Sequence, residues 1–220
     1  CAQIGDNGTS NSWAFLGMQD ATSPFLIDSC RVSSGTGNLV NLTNQIDPAY
    51  SRLVTGCNCH CLGSAGGGSA PVQFSTSGCT GFVVEDCVFW RNPSAAGCIG
   101  NSTSVSVADL LVEDCTFFGN IGLIAQGPLT GIVRNCSFSG DTTFAAAYGI
   151  QQAPNNTYLR LRIENCTFGV VTGIRTAHST ASIGGATTQG ILLELTIVNS
   201  NLADATEIQA SFLAAAVGRS

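Results

Sequence analysis

The chain has no lysine, a single methionine and only 10% charged residues over 220 positions. Eight scattered arginines and a formal net charge of −6 leave no clustered cations to neutralise phosphates, so a nucleic-acid partner is not expected. Long apolar runs are also missing. None approaches the roughly 20 residues a spanning helix requires, and the longest candidate lies near Phe212 to Val217, so no membrane span is expected. Low charge signals disorder only when hydrophobicity is low as well. Here 44% of residues are hydrophobic and the mean hydropathy is +0.27, enough to fold one domain over residues 1–220. No signal-peptide pattern precedes Cys1, which reads as a mature or trimmed start, with a lipid-modified cysteine as the alternative.

What the chain does have is one nine-residue phrase written four times: FVVEDCVFW from Phe82, LLVEDCTFF from Leu110, GIVRNCSFS from Gly131 and LRIENCTFG from Leu161. A degraded fifth copy, LTIVNSNLA, starts at Leu195. The anchors Cys87, Cys115, Cys136, Cys166 and Ser200 stand 28, 21, 30 and 34 residues apart, a solenoid period too irregular for a coiled coil. Apolar residues five and three places before each anchor alternate as in a strand with one buried face. The anchor and the residue two later (Phe89, Phe117, Phe138, Phe168) are again buried types, so parity slips by one residue between two strands. That slip falls at Asp86, Asp114, Asn135, Asn165 and Asn199, types that tolerate the left-handed conformation and turn a strand through a corner.

Corners repeated this way predict an all-β parallel β-helix in which equal positions stack about 4.8 Å apart into Phe, Cys and Asn/Asp ladders. FLIDSCRV from Phe25 and LVTGCNC from Leu53 carry the same pattern, so about seven coils cover residues 25–204. Residues 1–24 form an N-terminal segment in which Trp13 to Met18 packs over the first coil. Residues 205–220 form a C-terminal cap or tail, with Ile208, Phe212, Leu213 and Val217 on one helical stripe. Gly63 to Ser69 and His178 to Thr188 read as projecting loops.

The wording VEDCTFFGN from Val112 and IENCTFG from Ile163 resembles right-handed parallel β-helix proteins of the pectate-lyase-like superfamily. FWRN from Phe89 and FFGN from Phe117 match the F-x-x-N repeats of polymorphic outer-membrane proteins, whereas the companion G-G-A-I motif is absent. The resemblance spans about residues 80–205. It implies the fold, and a choice among polysaccharide-cleaving enzymes, adhesins and structural fibres.

Among candidate sites, Glu85 and Glu113 precede their corners on neighbouring coils, about 5 Å apart, near the spacing of a retaining glycosidase pair. The competing reading is a solvated row in which Arg134 offsets repulsion between Glu113 and Glu164; on this reading catalytic residues are none. Cys57, Cys59 and Cys61 with His60 form C-x-C-H-C, but strand parity splits the thiols from the imidazole and no second ligand pair follows, so neither metal nor cofactor is expected. Cys1, Cys30, Cys57, Cys59, Cys61, Cys79 and Cys98 are disulfide candidates with unassignable pairing, while the ladder thiols are expected to be buried and inert. Of six N-x-S/T sequons, Asn7, Asn41, Asn101 and Asn155 are expected in glycosylated loops, and Asn135 and Asn165 are expected to point their amides into the ladder. Trp90 should face outward as a sugar platform or interface anchor. His178 reads as a solvated loop residue. The expected protein is extracellular or at the cell surface, non-enzymatic and structural, with glycans in its loops and contacts to itself. The alternative is a carbohydrate-active enzyme or sugar-binding adhesin.

Overall fold

In a computed structural model of the chain, the described residues are 3–5, 14–18, 25–29, 31–34, 38–42, 52–61, 70–75, 79–91, 97–102, 105–118, 121–139, 148–152, 158–169, 172–176, 192–201 and 206–210. They form three sheets in which every pairing is parallel, and no helix occurs among them. The first sheet takes β1 (Gln3–Gly5), β4 (Arg31–Ser34), β7 (Asn58–Cys61), β11 (Val88–Arg91), β14 (Thr116–Phe118), β17 (Ser137–Ser139) and β20 (Thr167–Gly169) in that order. The second takes β3 (Phe25–Asp28), β6 (Arg52–Thr55), β10 (Phe82–Glu85), β13 (Val107–Glu113), β16 (Leu129–Arg134), β19 (Tyr158–Glu164) and β22 (Leu192–Val198), with β9 (Cys79–Thr80) beside β13. The third takes β2 (Ala14–Met18), β5 (Asn38–Leu42), β8 (Val72–Phe74), β12 (Ile99–Asn101), β15 (Ile121–Ala125), β18 (Tyr148–Gln152), β21 (Thr172–Thr176) and β23 (Thr206–Ala210). The chain runs from the second sheet to the first, then to the third, and returns to the second one strand further on.

Each passage from the second sheet to the first turns on one residue in the left-handed region: Ser29, Gly56, Asp86, Asp114, Asn135, Asn165 and Asn199, with φ between +49° and +59°. Asn and Asp enter that region more readily than other side chains, and Gly enters it freely. The corner amides do not lose their partners. Asp86, Asp114, Asn135 and Asn165 donate to the carbonyls of Glu113, Arg134, Glu164 and Val198 on the next circuit at 2.9–3.2 Å. The residue after each cysteine donates backward: Val88, Thr116, Ser137 and Thr167 bond the carbonyls of Cys57, Cys87, Cys115 and Cys136 at 2.8–2.9 Å. The ladder therefore continues around the corner, where a chain of unpaired polar groups would be costly.

Register stacks like on like inside. Ile27, Val54, Val84, Val112, Val133 and Ile163 make one buried row, and Phe89, Phe117, Phe138 and Phe168 another. The phenylalanine rings stack 5.2, 4.8 and 4.7 Å apart and lie within 8° of parallel. Burial of one such ring contributes about 1.5–3 kcal/mol.

One irregularity interrupts the second sheet. Between Val107 and Leu110 the register to β16 shifts, Asp109 takes φ +54°, and Gly81 at the equivalent place on the preceding circuit has φ +64°. This is a bulge shared by two circuits and absorbed at the third. There Gly131 receives it, because a Cβ at that position would run into the Leu110 carbonyl oxygen.

Three expectations about the ends and the corners change. Thr206–Ala210 is a strand, with Ile208 beside Ile174, and not the first turns of a helix; the free edge of β21 captures it and extends an Ile150, Ile174, Ile208 row. Residues 211–220 lie outside the described residues. Ala14–Met18 does not pack over the first coil but pairs with Asn38–Leu42 as the edge strand of the third sheet. Asn135 and Asn165 are exposed rather than turned inward, although their amides do join the expected ladder, the Asn165 Nδ2 donating to the Asn135 Oδ1 at 3.1 Å.

Candidate functional site

The outer face of the second sheet gathers most of the described charge. Strand alternation sends Glu85, Glu113, Arg134 and Glu164 outward at the same register position on β10, β13, β16 and β19, one directly beside the next. Neighbouring carboxylates on adjacent strands repel, and the side chains here resolve that repulsion internally. Arg134 grips Glu113 through two parallel bonds, Nε to Oε1 and Nη2 to Oε2, each 2.7 Å. Contact with Glu113 holds the Arg134 guanidinium further above its ordinary range, aided by the charges of Glu113, Glu164 and Asp114. Arg162 bonds Glu164 from two residues earlier on the same strand. The row proposed for acid–base work thus holds Glu113 committed to an arginine on one side and Glu85 on the other.

The Arg162 partnership was not anticipated, although i and i+2 spacing on a strand puts both side chains on one face. A second unanticipated row lies beside the charges. Leu26, Leu53, Val83, Leu111 and Ile132 follow one another in register, with Leu26 62% and Ile132 37% exposed and Val83 and Leu111 half-buried. The signal was present in consecutive apolar residues such as Val83–Val84 and Leu110–Val112, too continuous for a strand wet on one side. Asp109, Thr130, Arg160 and Thr196 complete an open groove of about 440 Å³ along Leu111, Ile132 and Arg162.

On the first sheet, Trp90 is 41% exposed and stacks on Phe118 of the next strand at 4.0 Å, 17° from parallel. Trp90 stands in register with His60 on its other side, and Phe118 with Ser139, then Gly169. The aromatic pair thus ends against small residues on the Phe118 side, where the row has space along the stacking direction.

The anchor thiols Cys57, Cys87, Cys115, Cys136 and Cys166 are buried and share one role. Each Sγ donates to the carbonyl two residues before it at 3.1–3.3 Å and approaches a carbonyl of the previous circuit at 3.6–3.8 Å. In the fifth copy Ser200 replaces the thiol, its Oγ donating to the Val198 carbonyl at 3.1 Å. Contact with the thiols of Cys136 and Cys87, then burial, pushes the Cys115 thiol up; contact with Cys136 followed by burial does the same at Cys166. The same contacts, with Cys115 first, draw the neighbouring Cys87 and Cys136 thiols down to about 4 and about 5, against a burial that disfavours every thiolate in the column, while Cys115 and Cys166 stay protonated and make poor nucleophiles. Of the disulfide candidates, Cys57, Cys79 and Cys98 are buried as thiols, so the pairing expected of them is not found. Cys1 and Cys30 lie outside the described residues. Cys59 and Cys61 stand in register with Phe89 and Arg91, and His60 with Trp90. Among the described residues no group of three His, Cys, Asp or Glu side chains is placed to hold a metal ion.

The sequons divide. Asn101 is not in a loop: it lies on β12, is 1% exposed, and has its amide fully used. Nδ2 donates to the carbonyls of Val105 and Pro128 at 2.7 and 3.3 Å, and Oδ1 accepts from the amides of Gln126 and Gly127 at 2.9 and 3.3 Å. It organises two crossings between the third and second sheets and leaves no room for a sugar. Asn41 belongs to β5 rather than to a loop. Asn135 and Asn165 are exposed at corners. Asn7, Asn155, His178 and the loops 63–69 and 178–188 lie outside the described residues. No family model, curated protein or solved structure matches this chain.

Proposed function

We propose that the three sheets wind as a right-handed parallel β-helix of the pectate-lyase-like kind, and that the protein is a non-enzymatic, extracellular structural element that associates with itself. The observation that carries this reading is the internal pairing of the outer carboxylate row. With Glu113 held by Arg134 and Glu164 by Arg162, the row lacks two carboxylates free to divide acid and base roles. Stacking along the axis is supported by the described sheets, which end on β1, β2 and β3 at one end and on β20, β22 and β23 at the other. Sizing and electron microscopy of the purified protein test it: rods of several copies are expected, and a monomer at high concentration refutes end-to-end assembly.

A sugar-binding adhesin is the second reading, favoured by one observation, the exposed Trp90–Phe118 stack. Titration with a polysaccharide panel, read by tryptophan fluorescence in the native protein and in Trp90→Ala, decides it. Binding that disappears with Trp90 supports the adhesin, and no binding in the native protein rejects it.

A further inference from the structure

We infer that the outer face of the second sheet pairs with the same face of a second copy, side by side and with the stacking directions opposed. This goes beyond end-to-end stacking and does not depend on it. The face combines an aliphatic row, exposed at Leu26 and Ile132, with charge distributed unevenly along the stack: Glu85, Asp109 and Glu113 lie on β10 and β13, whereas β16 and β19 carry Arg134, Arg160 and Arg162 together with Glu164. A wholly acidic or basic partner would meet like charge over half of this surface. A copy of the same face turned by a two-fold axis sets the net-negative half of each copy against the net-positive half of the other.

That axis runs parallel to the strands and passes between β13 and β16. It sets Leu111 against Ile132 of the second copy, and Ile132 against its Leu111. Arg134 then faces Glu113 of the second copy, so each guanidinium stands between two carboxylates, while Glu85 meets Glu164 at the same register position, a like-charge approach that Arg162, bonded to Glu164 from two residues earlier, offsets. The apolar row supplies the centre of the contact and the charges its register and rim, the usual division in an isologous interface. Six facing strands at about 4.8 Å and about six residues per strand give a contact of roughly 600 Å² per copy, with β3 beyond it, near the lower limit for a stable pair. A dissociation constant in the micromolar range is expected for a contact of this size.

Sedimentation equilibrium of the full chain, from about 1 to about 200 µM, reads the pair directly. The expected result is a reversible monomer–dimer equilibrium, weakened by salt. Ile132→Glu, at a position already 37% exposed, should weaken dimerisation at least about tenfold while circular dichroism stays unchanged. Arg134→Glu should weaken it too, and Glu113→Arg combined with Arg134→Glu should restore it, because the exchange keeps both the internal and the intermolecular pairing. A chain that is monomeric at every concentration overturns the inference. So do rods or dimers whose mass Ile132→Glu leaves unaltered, a result that would nevertheless leave end-to-end stacking standing because that variant does not touch the ends.

Discussion

Replacing Phe138 by alanine is the most direct test of whether equal positions sit directly over one another. Phe138 is 1% exposed and lies between Phe117 and Phe168, with rings 4.8 and 4.7 Å away and within 5° of parallel. Its ring also fills space against Gly122, where an added Cβ would come within 2.5 Å of it. Truncation removes the transfer free energy of the ring and leaves a cavity that backbone ladders on both sides hold open, at a cost of about 3–5 kcal/mol. Two aromatic contacts of about 0.5–1.5 kcal/mol each are part of that loss. Phe168 stacks on Phe138 on one side, while on the next circuit Asn201 pairs with Thr167 and no second ring faces Phe168 among the described residues, so Phe168→Ala forfeits only one ring contact and should cost about 1 kcal/mol less. Urea unfolding followed by circular dichroism measures both, and the cycle Phe117→Leu, Phe138→Leu isolates the ring–ring coupling without a large cavity. A cost for Phe138→Ala below about 1.5 kcal/mol, or a coupling indistinguishable from zero, would refute the stacked-ring account.

Asn101→Asp should destabilise the fold by about 3 kcal/mol or more, because a carboxylate oxygen would replace the Nδ2 donor opposite the carbonyls of Val105 and Pro128 in a buried site; urea midpoints check this, and peptide mapping after expression in a glycosylating host should find Asn101 without sugar. The buried thiols Cys57, Cys79, Cys87, Cys98, Cys115, Cys136 and Cys166 should resist a thiol reagent in the native state and all react in denaturant. Because contact with neighbouring thiols and burial push the Cys115 and Cys166 thiols up in the folded chain, the stability they contribute is fully present below the unfolded pKa of about 8.5 and declines as pH rises past it. Urea midpoints that hold constant from pH 7 to pH 10 would contradict this.

Much of this architecture is written in the chain because the fold repeats one local decision. The slip from period two at Asp86, Asp114, Asn135, Asn165 and Asn199 marks a left-handed residue, and all five have positive φ. What stayed hidden depends on neighbours distant in sequence. Asn101 reads as a loop sequon until β15 and Pro128 close over it, and Thr206–Ala210 reads as part of a helical stripe until β21 offers an edge. The bulge at Asp109 is likewise invisible without the register that sets Leu110 against Gly131.

A stack of this kind constrains where chemistry can arise. Any side chain repeated outward on successive circuits meets its own kind about 4.8 Å away, so repeated charge must be interrupted or neutralised and repeated apolar surface must be covered. The interruptions fall together: Arg134 breaks the carboxylate row, Asp109 and Gly131 begin and end the bulge, and Trp90 with Phe118 interrupts a row that otherwise holds His60, Ser139 and Gly169. All lie on β11, β13, β14 and β16, in the middle of the described stack and away from its ends. Departures confined to the middle are of little use for joining copies end to end, which needs only exposed edges. They are what a lateral contact or a sugar platform requires, because each depends on side chains that differ from one circuit to the next.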